Sequence, residues 1–290
     1  MEKRISGTTA LYALIGSPVG HSGSPAMYNY SFEKLGIDAA YLAFDITVEQ
    51  VADFIAAAKT LHVKGFNVTM PCKTEVAKQV DELSPAAKIV GAVNTVVIED
   101  GKLTGHITDG VGFIRNLAEH GVAVKGKKLT ILGGGGAGTA IQVQAALDGA
   151  REISIFNMKD GFFANVEETA AKIRAAVPDC KVNVCDLADE KKLYQEVGES
   201  DILINATKIG MKPMEDQSLI KDVSVFRPEL VVADVVYNPK ETKLVLDAKA
   251  AGVKIAIGGS GMLLWQGVEA FRLYTGREMP VKEVQKLFFS

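Results

Sequence analysis

Cysteine is scarce in this chain: three in 290 residues, at Cys72, Cys180 and Cys185. An odd, sparse set with no C-x-x-C pair excludes a disulfide scaffold and a thiolate zinc site. It fits a reducing compartment, and the cytoplasm is the expected location. Histidine is also sparse, and His62, His106 and His120 stand at no metal-ligand spacing, so no metal is expected. No stretch approaches ~18 uninterrupted apolar residues, so no membrane span is expected. The apolar run Ala10–Ile15 is short for a secretory signal core; it meets Gly16-Ser17-Pro18 and reads as a strand and its turn. Basic excess is missing too: 32 Lys and Arg stand against 35 Asp and Glu, a net charge of -3, with no basic stripe. A protein that lives by gripping a phosphate backbone is thereby excluded. What remains is 48% hydrophobic and 23% charged, an ordinary globular composition, at a length that suits one large or two medium domains.

Short apolar runs alternate with helical patterns along nearly the whole chain. Strands are predicted at Tyr12–Ile15, Tyr41–Phe44, Gly65–Val68, Ala92–Ile98, Lys128–Leu132, Glu152–Phe156, Lys181–Val184, Ile202–Ile204, Leu230–Asp234 and Val253–Ile257. Helices are predicted at Ser24–Leu35, Val48–Lys59, Phe113–His120, Thr139–Asp148 and Val166–Ala176. Such alternation predicts an α/β fold with mostly parallel sheet. The turn-rich stretch Gly105–Gly110 ends one α/β pattern, and a second begins at Lys128. The expected architecture is an N-terminal substrate-binding domain (1–110) and a Rossmann-type dinucleotide-binding domain (111–261) with a cleft between them. The terminal helices (262–290) are expected to fold back on the first domain.

The clearest motif is Leu132-Gly133-Gly134-Gly135-Gly136-Ala137-Gly138, which places G-x-G-x-x-G between a predicted strand and a predicted helix. In that context Gly133 permits the tight turn, Gly135 lets backbone approach a pyrophosphate, and Gly138 lets helix pack on strand. The helix N-terminus, with Gly136 and Ala137, then offers N–H groups to the phosphates. The next strand runs into Asn157-Met158-Lys159-Asp160. Asp160 stands roughly 20 residues past the last glycine, where a carboxylate accepts a ribose 2′-hydroxyl. With one neighbouring cation, Lys159, NAD is the expected cofactor and NADP is tolerated. The competing reading of Asp160 is a cap for the helix that follows.

Further clusters sit in predicted loops: His21-Ser22-Gly23-Ser24-Pro25, then Asn67-Val68-Thr69-Met70-Pro71-Cys72-Lys73, Gly91-Ala92-Val93-Asn94-Thr95, Thr108-Asp109-Gly110 and Trp265-Gln266-Gly267. In this order, over nearly the whole chain, they resemble the shikimate dehydrogenase family. The stretches Phe156–Asp160 and Asn205–Pro213 make the likeness nearest to its quinate/shikimate dehydrogenase branch.

The resemblance implies an NAD(P)-dependent oxidoreductase that interconverts shikimate and 3-dehydroshikimate, quinate and 3-dehydroquinate, or both. It implies that Ser22 and Ser24 hold the substrate carboxylate. Thr69, Asn94 and Gln266 would hold ring hydroxyls, and Tyr41 or Tyr237 would close the pocket. Lys73 and Asp109 would be the catalytic pair. Asn157, Asp160, Lys208, Gly261 and the glycine loop would contact the dinucleotide. The residue types fit that chemistry on their own terms. A small polyhydroxy acid is read by uncharged donors and acceptors, and oxidising a secondary alcohol needs a positioned proton carrier. Capping is the bland role for Ser24 and a turn the bland role for Asn94; Gln266, among apolar neighbours, needs a polar partner. One departure stands out: Ile107 occupies the place before Thr-Asp-Gly where the family has Asn. Two alternatives remain: a dehydrogenase of a related substrate such as an amino-shikimate, and a non-catalytic ligand sensor on the same fold. A small-molecule substrate is the expected partner, with no nucleic acid and no membrane; a homodimer is allowed.

Overall fold

The computed structural model describes residues 5–289. The chain divides into two compact units, Met1–Thr108 with Gln266–Ser290, and Asp109–Trp265. In the first unit the order is β1 (Ala10–Gly16), α1 (Ser24–Lys34), β2 (Ala39–Asp45), α2 (Val51–Thr60), β3 (Gly65–Val68), α3 (Lys73–Gln79), β4 (Glu82–Leu83), α4 (Pro85–Val90), β5 (Thr95–Glu99) and β6 (Lys102–His106). The second unit holds α5 (Asp109–Glu119), β7 (Lys128–Leu132), α6 (Gly136–Leu147), β8 (Glu152–Asn157), α7 (Phe163–Ala176), β9 (Lys181–Asp186) and α8 (Glu190–Glu199). It continues through β10 (Ile202–Asn205), β11 (Val231–Asp234), α9 (Lys243–Ala250) and β12 (Ile255–Ile257). Helix α10 (Ser260–Thr275) starts there, and its later part belongs with α11 (Val281–Phe288) to the first unit.

The first sheet has the order β2-β1-β3-β5-β6-β4. It is mixed: β2, β1 and β3 run parallel, whereas β5 is antiparallel to both β3 and β6. The expectation of one strand from Ala92 to Ile98 therefore needs correction. The strand begins at Thr95, because Gly91 closes α4 in a left-handed conformation (φ 72°) and Asn94 is drawn into side-chain hydrogen bonds. Its partner β6 went unpredicted, although Asp100-Gly101, both at positive φ, is the turn that a two-residue hairpin requires.

The core of the first unit is aromatic. Tyr28 and Tyr41 stack at 4.4 Å, and Phe32 and Phe271 pack beside them at 5.5 Å from each other. Phe271 comes from α10, and the Tyr28 hydroxyl donates to the carbonyl of Gly267 on the same helix. Arg277 Nη1 donates to the Leu35 carbonyl. These contacts hold the terminal helices on this unit.

The second sheet is wholly parallel, with the order β12-β11-β10-β7-β8-β9. Covered by helices on both faces, its strands are near-continuous apolar runs, as such sheets require. The order steps outward in both directions from β7 and β10, which is the Rossmann arrangement. Two helices begin earlier than expected: α6 at Gly136 rather than Thr139, and α5 at Asp109 rather than Phe113. Both shifts place motif residues in a first helical turn. Within the unit the Arg115 guanidinium lies 4.7 Å over the single indole, Trp265.

At the opposite ends of these strands lies a buried charge cluster. Lys128, first residue of β7, places Nζ 2.9 Å from Glu196, 2.6 Å from Glu199 and 3.7 Å from Glu152. Glu196 also receives Lys192 at 2.6 Å and the Ser154 hydroxyl at 2.7 Å. Burial alone would raise the Glu196 carboxyl, but hydrogen bonds from Lys192, Lys128 and Ser154 outweigh it and hold the pKa at about 2. The folded-state value is thus below the open-chain one. Its stabilisation is present above the ordinary value of 4.5 and is lost as pH falls toward 2. Glu196→Gln is expected to lower stability at pH 7 by about 2–3 kcal/mol and to flatten the loss between those two pH values, as read by urea unfolding at a series of pH values.

Candidate functional site

In the first unit the polar motif residues meet at the carboxyl ends of β1, β3 and β5's neighbouring loop. Val68 ends β3, and the next turn is fixed by backbone bonds from Thr69 N to the Ile15 carbonyl (2.8 Å) and from Cys72 N to the Thr69 carbonyl (3.0 Å). That turn delivers Lys73 as the first residue of α3, and the Lys73 carbonyl accepts from Val93 N at 3.1 Å. Cys72 is fully buried and its thiol donates to the Ile46 carbonyl at 3.2 Å, so it packs the turn from beneath.

Asn94 is the hub. It is 3% exposed, and its Oδ1 accepts from Thr108 N at 2.9 Å and from the Thr95 hydroxyl at 3.0 Å. Its Nδ2 donates to the Thr108 hydroxyl at 2.9 Å and to Gln266 Oε1 at 3.4 Å. The polar partner that Gln266 needs is therefore Asn94. These bonds also settle which end of each amide donates: Nδ2 of Asn94 and, since its oxygen accepts, Nε2 of Gln266. Asn94 is thus more than a turn residue, because an interior acceptor with two donors fixes the whole loop.

Beneath it stands Asn67, which sequence reasoning quoted within a motif and gave no role. Its Nδ2 donates to the Asn94 carbonyl (3.1 Å) and to the Thr95 hydroxyl (3.0 Å), and its Oδ1 accepts from the Tyr41 hydroxyl (2.8 Å). The readable signal was a carboxamide inside a fully buried strand, Gly65-Phe66-Asn67-Val68. The expected pocket-closing role of Tyr41 is corrected by the same bond. Tyr41 is fully buried, stacked on Tyr28, and its phenol is pushed to a high pKa by burial and by Tyr28. It braces Asn67 from inside the core.

Ser22 and Ser24 lie half-buried at the start of α1. The cap position is Gly23, with no side-chain cap, so Ser24 does not take the capping role. Instead Ser22 Oγ accepts from Ser24 N at 3.2 Å. Ile107 is 6% exposed and packs in the core.

In the second unit the glycine loop has the form a pyrophosphate cradle requires. Gly133 holds φ at 104°, and a Cβ there would lie 2.8 Å from Thr207 Cγ2. A Cβ on Gly138 would strike the Gly133 carbonyl oxygen, so helix meets strand end at backbone distance. Gly135 and Gly136, by contrast, face open space, and α6 starts with no side-chain cap. Buried glycines on the protein side and open ones at an uncapped helix start are what an anion at that terminus needs. Asn157 spends its amide on the loop itself, accepting from Gly134 N at 3.0 Å and donating to the Met158 carbonyl at 2.9 Å. It shapes the cradle. Asp160 Oδ1 accepts from Phe162 N at 2.9 Å, in the turn that opens α7. The cap position of α7 is Phe162, with no side-chain cap, so Asp160 closes a local turn rather than capping the helix, and Lys159 beside it is exposed.

Asp109 is the first residue of α5, and a Cβ on Gly110 would strike the Ala140 carbonyl of α6, so the two helices press together directly behind Asp109. Lys208 and Tyr237 are exposed on the loops after β10 and β11. At Gly261 a side chain would strike Asn116 of α5, so its lack of one serves helix packing. Asp234 and Asn205, buried ends of β11 and β10, also went unassigned in the sequence.

Among known proteins, the shikimate dehydrogenase substrate binding domain matches residues 14–96, and the shikimate 5'-dehydrogenase C-terminal domain matches residues 259–287. A shikimate dehydrogenase (NADP(+)) of Streptococcus uberis is 52% identical over 292 residues, covering 100% of this chain and 99% of its own. The crystal structure of shikimate 5-dehydrogenase from Listeria monocytogenes, in complex with shikimate and NAD, is 49% identical with a TM-score of 0.96, covering 100% and 99% of the two chains. Quinate dehydrogenase from Corynebacterium glutamicum, in complex with NAD, is 31% identical with a TM-score of 0.85, covering 97% and 99%.

If the glycine loop is the cradle, Gly138→Ala should push the helix start off the Gly133 carbonyl and weaken nicotinamide dinucleotide binding by at least tenfold in a fluorescence titration. Thermal stability should fall too, because the atom struck is backbone and cannot swing aside. Unchanged affinity would show that the loop only turns the chain.

Proposed function

The chain belongs to the shikimate dehydrogenase family, and from that premise we propose that it interconverts shikimate and 3-dehydroshikimate with a nicotinamide dinucleotide. The observation that carries this reading is full-length identity of 52% to a shikimate dehydrogenase, in a chain whose Asn94 bonds to Thr108 and Gln266.

The glycine loop of residues 133–138 would hold the dinucleotide, which would supply hydride exchange at C3. The proton of the C3 hydroxyl is the protein's task. Lys73 and Asp109 are assigned as the acid–base pair: in reduction the Lys73 ammonium donates to the carbonyl oxygen, and in oxidation the pair takes the hydroxyl proton. Ser22 and Ser24 hold the substrate carboxylate. Thr69, Asn94 and Gln266 hold the ring hydroxyls; the Asn94 NH₂ serves Thr108 and Gln266, so it is the Gln266 amide that presents an N–H donor. An analogue lacking a matching hydroxyl leaves such a donor unpaired, which costs roughly 1–3 kcal/mol and gives discrimination. Both catalytic groups stand in this chain, which favours an enzyme over a silent sensor.

NADP is the proposed preferred dinucleotide, in place of the NAD preference read from the sequence. That preference leaned on Asp160, whose carboxylate is engaged in the turn before α7, while exposed Lys159 is available to a 2′-phosphate. The Streptococcus uberis relative carries NADP(+) in its name, and NAD in the Listeria monocytogenes complex supports NAD as the second cofactor. Quinate is the second substrate reading, supported by the likeness of Phe156–Asp160 to the quinate/shikimate branch. The three thiols are all free, in keeping with work in a reducing compartment such as the cytoplasm.

Two measurements test the reading. Lys73→Ala should lower kcat by about 10²–10⁴ while dinucleotide affinity stays within twofold; retained turnover would remove Lys73 from the chemistry. Steady-state kinetics on shikimate and quinate, each with NADP and NAD, should give the highest kcat/KM for shikimate with NADP. An NAD preference, or a quinate preference, would reverse the corresponding assignment.

A further inference from the structure

Asp234 ends β11 and is 1% exposed. Among the described residues no lysine or arginine forms an ion pair with it. A carboxyl group taken out of water in this way is costly unless donors surround it. Burial pushes its pKa up, against hydrogen bonds from Thr242, Val236 and Asn205 that work to lower it. The donors are close: Asn205 Nδ2 at 3.0 Å and Val236 N at 2.9 Å on Oδ1, and the Thr242 hydroxyl at 2.7 Å on Oδ2.

Each donor governs a loop. Asn205 Oδ1 accepts from Thr207 N (3.2 Å) and from the Thr207 hydroxyl (2.7 Å), and its Nδ2 also reaches the Ile209 carbonyl at 3.0 Å. The Thr207 hydroxyl oxygen in turn accepts from Ile209 N at 3.1 Å. Lys208 is thus clamped on both sides. Thr242 caps α9, its Oγ1 accepting from Val245 N at 3.5 Å, and so closes the loop that carries Tyr237. Val236, whose N–H the carboxylate holds, accepts through its carbonyl from Gly259 N at 2.9 Å, next to the start of α10.

Both clamped loops leave the carboxyl ends of β10 and β11. In this sheet order the pyrophosphate loop follows β7, and the adenosine side lies toward β8. The loops after β10 and β11 are on the other flank, the one left for the nicotinamide. We propose that Asp234 is a positioning residue for the nicotinamide half of the dinucleotide, acting through Asn205 and Thr242 on the loops that carry Lys208 and Tyr237. This rests on the dinucleotide reading above. A carboxylate is required rather than an amide because both its oxygens accept. An Asn at this place would turn an NH₂ either toward Asn205 Nδ2, donor against donor, or toward Thr242 Oγ1, whose own buried O–H would then lose its acceptor.

The test separates the two halves of the cofactor. In the full-length protein, Asp234→Asn and Thr242→Val are compared with wild type by titration against NADPH and against 2′-phospho-ADP-ribose, which lacks the nicotinamide. Both variants should lose at least fivefold in NADPH affinity while 2′-phospho-ADP-ribose stays within twofold. Thr242→Ser, which keeps the hydroxyl, should restore NADPH binding. Equal loss for both ligands would overturn the proposal, as would a lowered melting temperature with both affinities intact, because either makes Asp234 a support of the fold in general. A wild type that binds neither of these nor NADH would instead overturn the dinucleotide reading, and this inference with it.

Discussion

A strand that leaves a buried parallel sheet carries backbone N–H groups out of the ladder, and they must find acceptors before the chain can turn. In this protein, side chains at or near the strand ends supply many of them. Asn157 at the end of β8 accepts from Gly134 N; Asn205 at the end of β10 accepts from Thr207 N; Asp234 at the end of β11 accepts from Val236 N. Asn94, just ahead of β5, accepts from Thr108 N. These short polar side chains convert sheet ends into loops of one shape, and most of the residues assigned to binding stand on those loops.

That arrangement divides labour by chemistry. The first unit collects hydroxyls and amides, which suit a ligand read by its hydrogen-bonding groups. The second collects glycines and an uncapped helix start, which suit phosphates. The aromatic core beneath the first set, from Tyr28 and Tyr41 to Phe271, is rigid because stacked rings fill it and because Tyr41 is tied to Asn67. Hydroxyl groups are weakly distinguished by shape alone, so an amide hub held from below by a core phenol gives the precision that the ligand itself does not impose.

Much of this was legible in the sequence. The parallel alternation, the glycine loop and the polar motifs each have a local signature, and the structure gathers Asn94, Gln266 and Thr108 into one network. The misses have physical reasons. Tyr41 read as a pocket residue because a motif says nothing about burial; only the packed sheet shows its ring beneath Tyr28. The strand β6 was overlooked although Asp100-Gly101 signals a hairpin. Asn67 and Asp234 escaped because a single polar residue in an apolar run looks like noise until its partners are visible.

The charge cluster around Lys128 sits at the amino ends of β7, β8 and β9, through Lys128, Glu152 and Lys181, while the glycine cradle and the Asn205 and Asp234 clamps occupy the carboxyl ends. A full strand length separates them within one unit. Durability in acid and the shape of the loops at the far rim are therefore written on opposite edges of the same sheet, so a lineage or an engineer can retune one by substitution with little effect on the other.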